Sequence, residues 1–292
     1  MVLVISLLTV LLTTWLRPRE PFYQGKALSY WVKEMHNLND DRAARQAVHQ
    51  IGPRGIHFLM SAAAREDSVL RRWYRSAWPH LPDIVQQKLP KPEARIDALR
   101  SIANAYAEIG PPAIPALTTM LQDRDGGVRV NALIALAGMR GDRTSAVPVL
   151  IGAITNSDHG LESGNPWVPT GVRRMAATVL GQIGQAARTA IPVLTQLRTS
   201  TNAATRAQAA LALWRITDDA QYISTLTADL EKAKDIDAIQ QNLDALGEMG
   251  PAAIVALPAI RRKFQGQGLD GNLMDALLKI DPDAILKADG YP

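Results

Sequence analysis

Three groups of residues have the types and spacing to do chemistry. Asp158, His159 and Glu162 sit close together in NSDHGLESGNPWVPTG, with Trp167 a few residues on. Carboxylates and an imidazole can ligate a divalent cation, but three such groups in one Gly/Pro-rich loop without a second histidine make no recognisable metal site. The same residues suit a contact with a protein partner, because loops carried by a regular scaffold are where partners bind. A second group, Arg71, Arg72 and Arg75, alternates with Trp73, Tyr74 and Trp78. Cations next to flat rings are what a nucleic-acid patch or a lipid-headgroup contact needs. One arginine-bearing helix falls well short of a basic stripe along a protein. The plainer reading is a helix with Leu70 and Trp73 turned inward and the arginines outward, followed by a proline-punctuated connection. The third group is Arg129, Arg173 and Arg206, each three residues before an alanine, at Ala132, Ala176 and Ala209. A residue that recurs at one phase is expected to bond structurally to an adjacent turn, and not to catalyse.

Other chemistry is excluded by what the chain does not carry. It has 0 cysteines, which removes disulfides, thiolate zinc sites and cysteine nucleophiles together. Phosphate-binding glycine loops, a serine–histidine set and paired carboxylates at convincing spacing are absent as well. The expectation is therefore a protein that is not an enzyme, with no cofactor, no resident metal and no catalytic residues.

The elements that position these groups are repeated. In EIGPPAIPALTTMLQDRDGGVRVNALIALAGMRG, Glu108 to Gly141, the positions Val128, Ala132, Leu133, Leu136 and Met139 recur at steps of one, three and four. That spacing places them on one stripe of a helix. Ala132, Ala135 and Ala137 let a neighbouring helix come close, and Gly141 is expected to end the helix in a left-handed conformation. Pro115 and Pro148 fall where a following helix begins, since the first turn has no acceptor for the missing N–H. Such a helical hairpin cannot bury its apolar face alone and must stack on copies of itself. Aligned on Ile/Val/Leu-Pro, the units start at Pro115, Pro148, Pro192 and Pro258, with a degenerate unit at Ile223-Ser224 and His57 in the proline slot of an upstream copy. The period is about 33 residues, with insertions near 76–92 and 156–170, so Leu117, Leu150, Leu194 and Leu226 should fall in successive layers. Sheet is not needed anywhere.

The segments VRVNALIALAGM, VRRMAATVLGQIG, TRAQAALALWRIT and DALGEMGPAAIVALPAI resemble the HEAT-repeat superfamily, and within it the short-repeat branch first described in phycobilisome lyases. The resemblance implies an all-α fold, an α-solenoid of about six to seven antiparallel helix pairs over residues 41–292. It implies little about activity, because function resides in sites and not in folds.

Ahead of the array, residues 2–16, VLVISLLTVLLTTWL, are apolar and are followed by Arg17 and Arg19. Trp15 and these arginines suit an interface, so residues 1–19 read as an uncleaved single-pass anchor in preference to a cleaved signal peptide. At about 1.5 Å per residue the segment reaches some 22 Å, short of a hydrocarbon core of about 30 Å, which calls for local thinning or further residues upstream. Residues 20–40 form a juxtamembrane cap: a turn at Gln24-Gly25, then a short helix from Leu28 or Ser29 bearing Trp31, Val32 and Met35. EP-x-Y-x-GK-x-LS-x-W resembles a motif of membrane-tethered HEAT-repeat proteins of the Verrucomicrobia, which implies an extracytoplasmic array. The basic residues after the anchor, by the positive-inside rule, imply a cytoplasmic one. Charge is uneven: residues 17–100 hold 15 Lys/Arg against 9 Asp/Glu and residues 101–292 hold 17 against 19.

The expected function is a membrane-tethered interaction scaffold or adaptor for a protein partner that the sequence does not name. Two other readings stand beside it: a nucleic-acid enzyme resembling the HEAT-like alkylpurine DNA glycosylases, which needs a basic groove with aromatics, and a bilin lyase-like protein by family resemblance. The net negative charge of residues 101–292 disfavours nucleic acid as a partner.

Overall fold

The computed structural model describes residues 19–35, 41–66, 68–123, 125–156, 171–265 and 271–282. The anchor and most of the 156–170 insertion, with Asp158, His159, Glu162 and Trp167, lie outside them. The chain divides into two compact units, Met1–Asp142 and Arg143–Pro292.

The first unit opens with a feature that the helical pattern hides. Phe22–Tyr23 (β1) and Lys26–Ala27 (β2) pair antiparallel across Gln24-Gly25. Both turn residues take positive φ, 49° and 74°, as a two-residue hairpin turn whose twist matches its strands requires. The expectation that no sheet is needed is thus corrected by this small hairpin. Helix α1, Leu28–Glu34, follows and buries Leu28, Trp31 and Val32. Trp31 donates its Nε1–H to the Tyr23 carbonyl at 3.2 Å and meets Tyr23 and Tyr30 edge-on. The hairpin and α1 pack on the next helix, so these aromatics cover the exposed end of the stack.

That stack consists of α2 (Arg42–Ile51) paired with α3 (Ile56–Glu66), then α6 (Arg95–Ile109) paired with α7 (Ile114–Leu121), then α8 (Gly126–Gly138). Between α3 and α6 the chain leaves the pattern to form α4 (Val69–Ala77) and α5 (Asp83–Lys88). The second unit runs α9 (Val147–Thr155), α10 (Val172–Ile183), α11 (Ile191–Leu197), α12 (Ala203–Thr217), α13 (Gln221–Lys232), α14 (Ile236–Met249), α15 (Leu257–Lys263) and α16 (Gly271–Ile280).

The first helices of successive pairs lie side by side, α6 on α8 in one unit and α10 on α12 on α14 on α16 in the other. They come close because small residues meet at the crossings. A Cβ on Gly181 would stand 2.9 Å from the Ala212 Cα, and one on Gly247 would stand 3.2 Å from the Ala276 Cα. The second helices present their leucines to the core of their own unit: Leu117 in the first and Leu150, Leu194 and Leu226 in the second are all fully buried.

Each turn between paired helices uses one left-handed residue. Gly52, Gly110, Gly184 and Gly250 supply it with φ between 56° and 82°, and in the degenerate unit Asp218 does so at φ 58°, a conformation that Asp tolerates better than most side chains. Pro115, Pro148, Pro192 and Pro258 all stand in the first turn of their helices, as expected. Gly141 behaves differently from its expectation. Helix α8 already stops at Gly138, where Met139 turns extended, and Gly141 takes φ 91° in the loop beyond.

Ion pairs tie neighbouring first helices along their ends. Arg95 pairs with Asp125 at 2.6 Å, Arg215 with Glu248 at 2.7 Å, and Arg45 with Glu108. Each such exposed pair contributes at most about 1 kcal/mol, so they specify register more than they stabilise. Ile236–Lys263 is apolar and long enough in total to cross a membrane. More than half of its most apolar window is buried inside the protein, and the left-handed residue at Gly250 splits it into α14 and α15. It is core.

Candidate functional site

Two surfaces stand apart from the regular packing, one in each unit. In the first unit, α4 begins at Ser68, whose Oγ accepts the Arg71 backbone N–H, a capping bond that starts a helix after an abrupt change of direction. At 100° per residue, Arg71 and Arg75 share one face of α4 and Val69, Leu70 and Trp73 share the opposite one. The arginine face is the one turned to the protein. Glu66, only 4% exposed at the end of α3, receives Arg71 on Oε1 and Arg75 on Oε2 at 2.9 Å, and Arg75 also donates to the Glu66 carbonyl at 2.5 Å. A buried carboxylate is tolerated only when paired, so Glu66 holds α4 by its charged side.

The apolar side is left outward. Val69 is 72% exposed, Leu70 78% and Trp73 66%. This reverses the expectation that Leu70 and Trp73 turn inward. The arginine expectation holds for Arg71 and Arg72, which are exposed, and is reversed only for Arg75, which is largely covered. The physical reason is that Glu66 is the only described acidic partner shown for either Arg71 or Arg75, and two charge-assisted bonds to a buried carboxylate orient the helix more strongly than three apolar side chains with nothing to cover them.

The excursion then closes on itself. Tyr74 and Trp78 meet edge-on at 5.7 Å, the Tyr74 hydroxyl donates to the Pro90 carbonyl at 2.5 Å, and Gln86 Nε2 donates to the carbonyls of Trp78 and Leu81. Ile84 on α5 is 71% exposed, and Val85 and Leu89 are exposed beside it. An open groove of about 480 Å³ runs along this element, lined by Trp78, Asp83, Gln86, Gln87 and Lys91.

The second surface lies on the row α10, α12, α14. Arg174, Gln208 and Gln241 occupy one phase of these helices, 34 and 33 residues apart. Arg174 on α10 donates to Gln241 Oε1 on α14 at 3.1 Å, passing over the helix between. The bond crosses the outer surface of α12, so Arg174, Gln208 and Gln241 line one polar trough across the row. Burial in the trough lowers the pKa of the Arg174 guanidinium below its ordinary value. The Gln208 Nε2 amide on α12 is buried without an acceptor, an arrangement that costs free energy unless a partner supplies one. Sequence reasoning passed over Gln208 and Gln241. The one-period spacing of three polar residues among helices otherwise rich in Ala and Leu was the available signal.

The recurrent arginines have local tasks. Arg129 donates to the Asp123 carbonyl at 2.7 Å, and Arg206 to the carbonyls of Ser200 and Thr201, both at 2.8 Å. Each ties down the loop just before its own helix, and Asp125 and Asn202 cap those helices through Gly127 and Thr205 N–H. Arg173 stands at the same phase at the start of α10, half-buried. Arg71, Arg72 and Arg75 belong to one unit and Arg173 and Arg174 to the other. Among the described residues, no group of three or more His, Asp or Glu side chains is arranged to hold a metal ion.

A model of the HEAT repeats family matches residues 82–163. No curated protein matches the chain significantly. Among solved structures, the chain is similar to the complex of CpcE and CpcF of phycocyanin lyase from Nostoc sp., at 19% identity and a TM-score of 0.47, over 90% of this chain and 97% of that one. It is also similar to an engineered protein at 16% identity and a TM-score of 0.39, over 87% of this chain and 94% of that one.

Proposed function

We propose that this chain is a membrane-tethered interaction scaffold without catalysis of its own. Residues 2–16 are its single-pass anchor, the helix pairs form an extracytoplasmic array, and the α10–α12–α14 trough receives a protein segment. The observation that carries the reading is the bridge from Arg174 to Gln241 over α12, which lines that face with polar groups. An unsatisfied amide donor, Gln208 Nε2, in this trough suits a partner that offers carboxylate or carbonyl oxygens, such as an acidic or extended peptide. Regular helix rows with a polar inner face bind by shape and need no reacting group.

The test is photo-crosslinking in intact membranes from a probe placed at Gln208. The expected result is one discrete protein adduct that disappears in an Arg174→Glu variant whose thermal unfolding is unchanged, and that persists in an Arg262→Glu variant of the exposed α15 end. Adducts that are diffuse, or equally abundant in both variants, remove the trough from the scaffold reading. Protease accessibility of the array in spheroplasts decides orientation: protection would place it on the cytoplasmic side and overturn the extracytoplasmic assignment.

A further inference from the structure

Exposed apolar side chains on an element held by its charged face need an explanation. Val69, Leu70 and Trp73 cover an arc of about 100° on α4, and Ile84, Val85 and Leu89 extend the apolar surface along α5 and its end. The rim is basic: Arg72, Lys88 and Lys91 are all exposed, and residues 68–94 hold five Lys/Arg against two Asp/Glu. The geometry points to the α4–α5 excursion as a second membrane contact, lying in the interfacial zone of an anionic bilayer with its apolar side chains among the lipids and its cations at the headgroups.

Three observations favour lipid over protein as the occupant. Lysine is depleted at protein interfaces and enriched where a surface meets anionic lipid, and here lysines border the apolar patch. A tryptophan beside arginine on a short amphipathic helix is the composition that settles at headgroup depth. Proximity is the third. From Leu16 to Phe22 the chain is six residues long, which spans at most about 20 Å. The unit that carries α4 and α5 is therefore the one joined directly to the tether, through a short connection that ends at the exposed Phe22. This inference rests on the tether reading above, and its test separates the two.

The full chain is reconstituted in vesicles of phosphatidylcholine with and without phosphatidylglycerol, and in detergent micelles. Amide hydrogen exchange is followed over residues 69–77 and 83–89. Phosphatidylglycerol vesicles should slow exchange in both segments at least threefold relative to micelles, and added salt should reverse part of that effect. The double variant Leu70→Ser and Trp73→Ser should lose the protection with no shift in its unfolding midpoint, because both side chains are already in water. In parallel, alkaline carbonate extraction reports on residues 2–16. A chain that resists extraction while 69–89 exchanges equally in all media keeps the tether and overturns the second contact. A chain that is extracted yet protected at 69–89 by phosphatidylglycerol loses the tether and keeps the contact. Protection in micelles that grows with protein concentration would assign the patch to a second copy of the chain and overturn the lipid assignment.

Discussion

The α10–α12–α14 row and the α4–α5 excursion both use helices with an apolar face, and they use it in opposite ways. In the row the apolar faces meet each other across Gly181 and Ala212, and polar groups are left for the trough. In the excursion the polar face meets the protein through Glu66, and the apolar face is left for something else. Amphipathic patterning thus tells which residues share a face but not which face turns inward. That choice goes to whichever neighbour binds more strongly: a dry helix surface in one case, a buried carboxylate in the other.

Leucine truncation separates the two regions most sharply. Leu194 on α11 is fully buried in the core of the second unit. Leu194→Ala should lower unfolding free energy by about 2–5 kcal/mol, the transfer loss plus a cavity that a row of close-packed helices fills poorly. The check is the urea midpoint, with the m-value unchanged. A loss below about 1 kcal/mol would mean that the layers relax around a missing side chain, and the contrast with the excursion would fade.

The next largest effect tests the close approach itself. Gly181→Ala adds a Cβ 2.9 Å from the Ala212 Cα. The neighbour is backbone and cannot rotate away, so α10 and α12 must separate. The expected cost is about 1–3 kcal/mol, even though alanine favours an isolated helix by up to about 1 kcal/mol. A stabilised variant would show that the row is looser than its geometry implies.

How much of this was legible in the sequence follows the same division. The period, the prolines that open second helices and the buried leucines at Leu117, Leu150, Leu194 and Leu226 follow from spacing alone, because a repeated unit has repeated neighbours. The aromatic cap at Trp31 was legible too, since Leu28, Trp31 and Val32 recur at helical spacing. The β1–β2 hairpin was missed: four strand residues are too few to show alternation, and only the Gln24-Gly25 turn marked them. The outward face of α4 was read backwards because its orientation depends on Glu66, which lies outside the helix and carries no periodic signal. The trough could be had only in part. Arg174 lies beside the recurrent Arg173, but its meeting with Gln241 depends on how three helices are placed, which spacing does not encode.

Tyr106 tests the core of the first unit by pH. Its side chain is fully buried on α6, its hydroxyl has no hydrogen-bond partner, and burial raises its pKa well above the ordinary 10.0. A tyrosine that holds its proton more tightly when folded contributes stability below the unfolded pKa and loses it as pH rises past that value. Above pH 10 the native chain should lose up to about 1.4 kcal/mol per pH unit from this group, and Tyr106→Phe should remove that part of the slope. At neutral pH the variant should be as stable or about 1 kcal/mol more so, because it discards an unsatisfied buried hydroxyl. Equal alkaline slopes in the two proteins would mean that the hydroxyl reaches solvent or a partner.

Leu70→Ala completes the pair begun at Leu194 and should show the smallest effect. The chemistry of the change is identical, the removal of one isopropyl group. Leu70, however, is 78% exposed on α4, so unfolding uncovers little further apolar surface there and no cavity is left behind. The expected change in the urea midpoint corresponds to less than about 0.5 kcal/mol. A loss approaching that of Leu194→Ala could arise only if Leu70 were covered in solution, and it would then have to vanish on dilution if a second copy covered it, or persist at all concentrations if residues outside the described segments did. The midpoint at two protein concentrations therefore decides whether the excursion is free in the isolated chain.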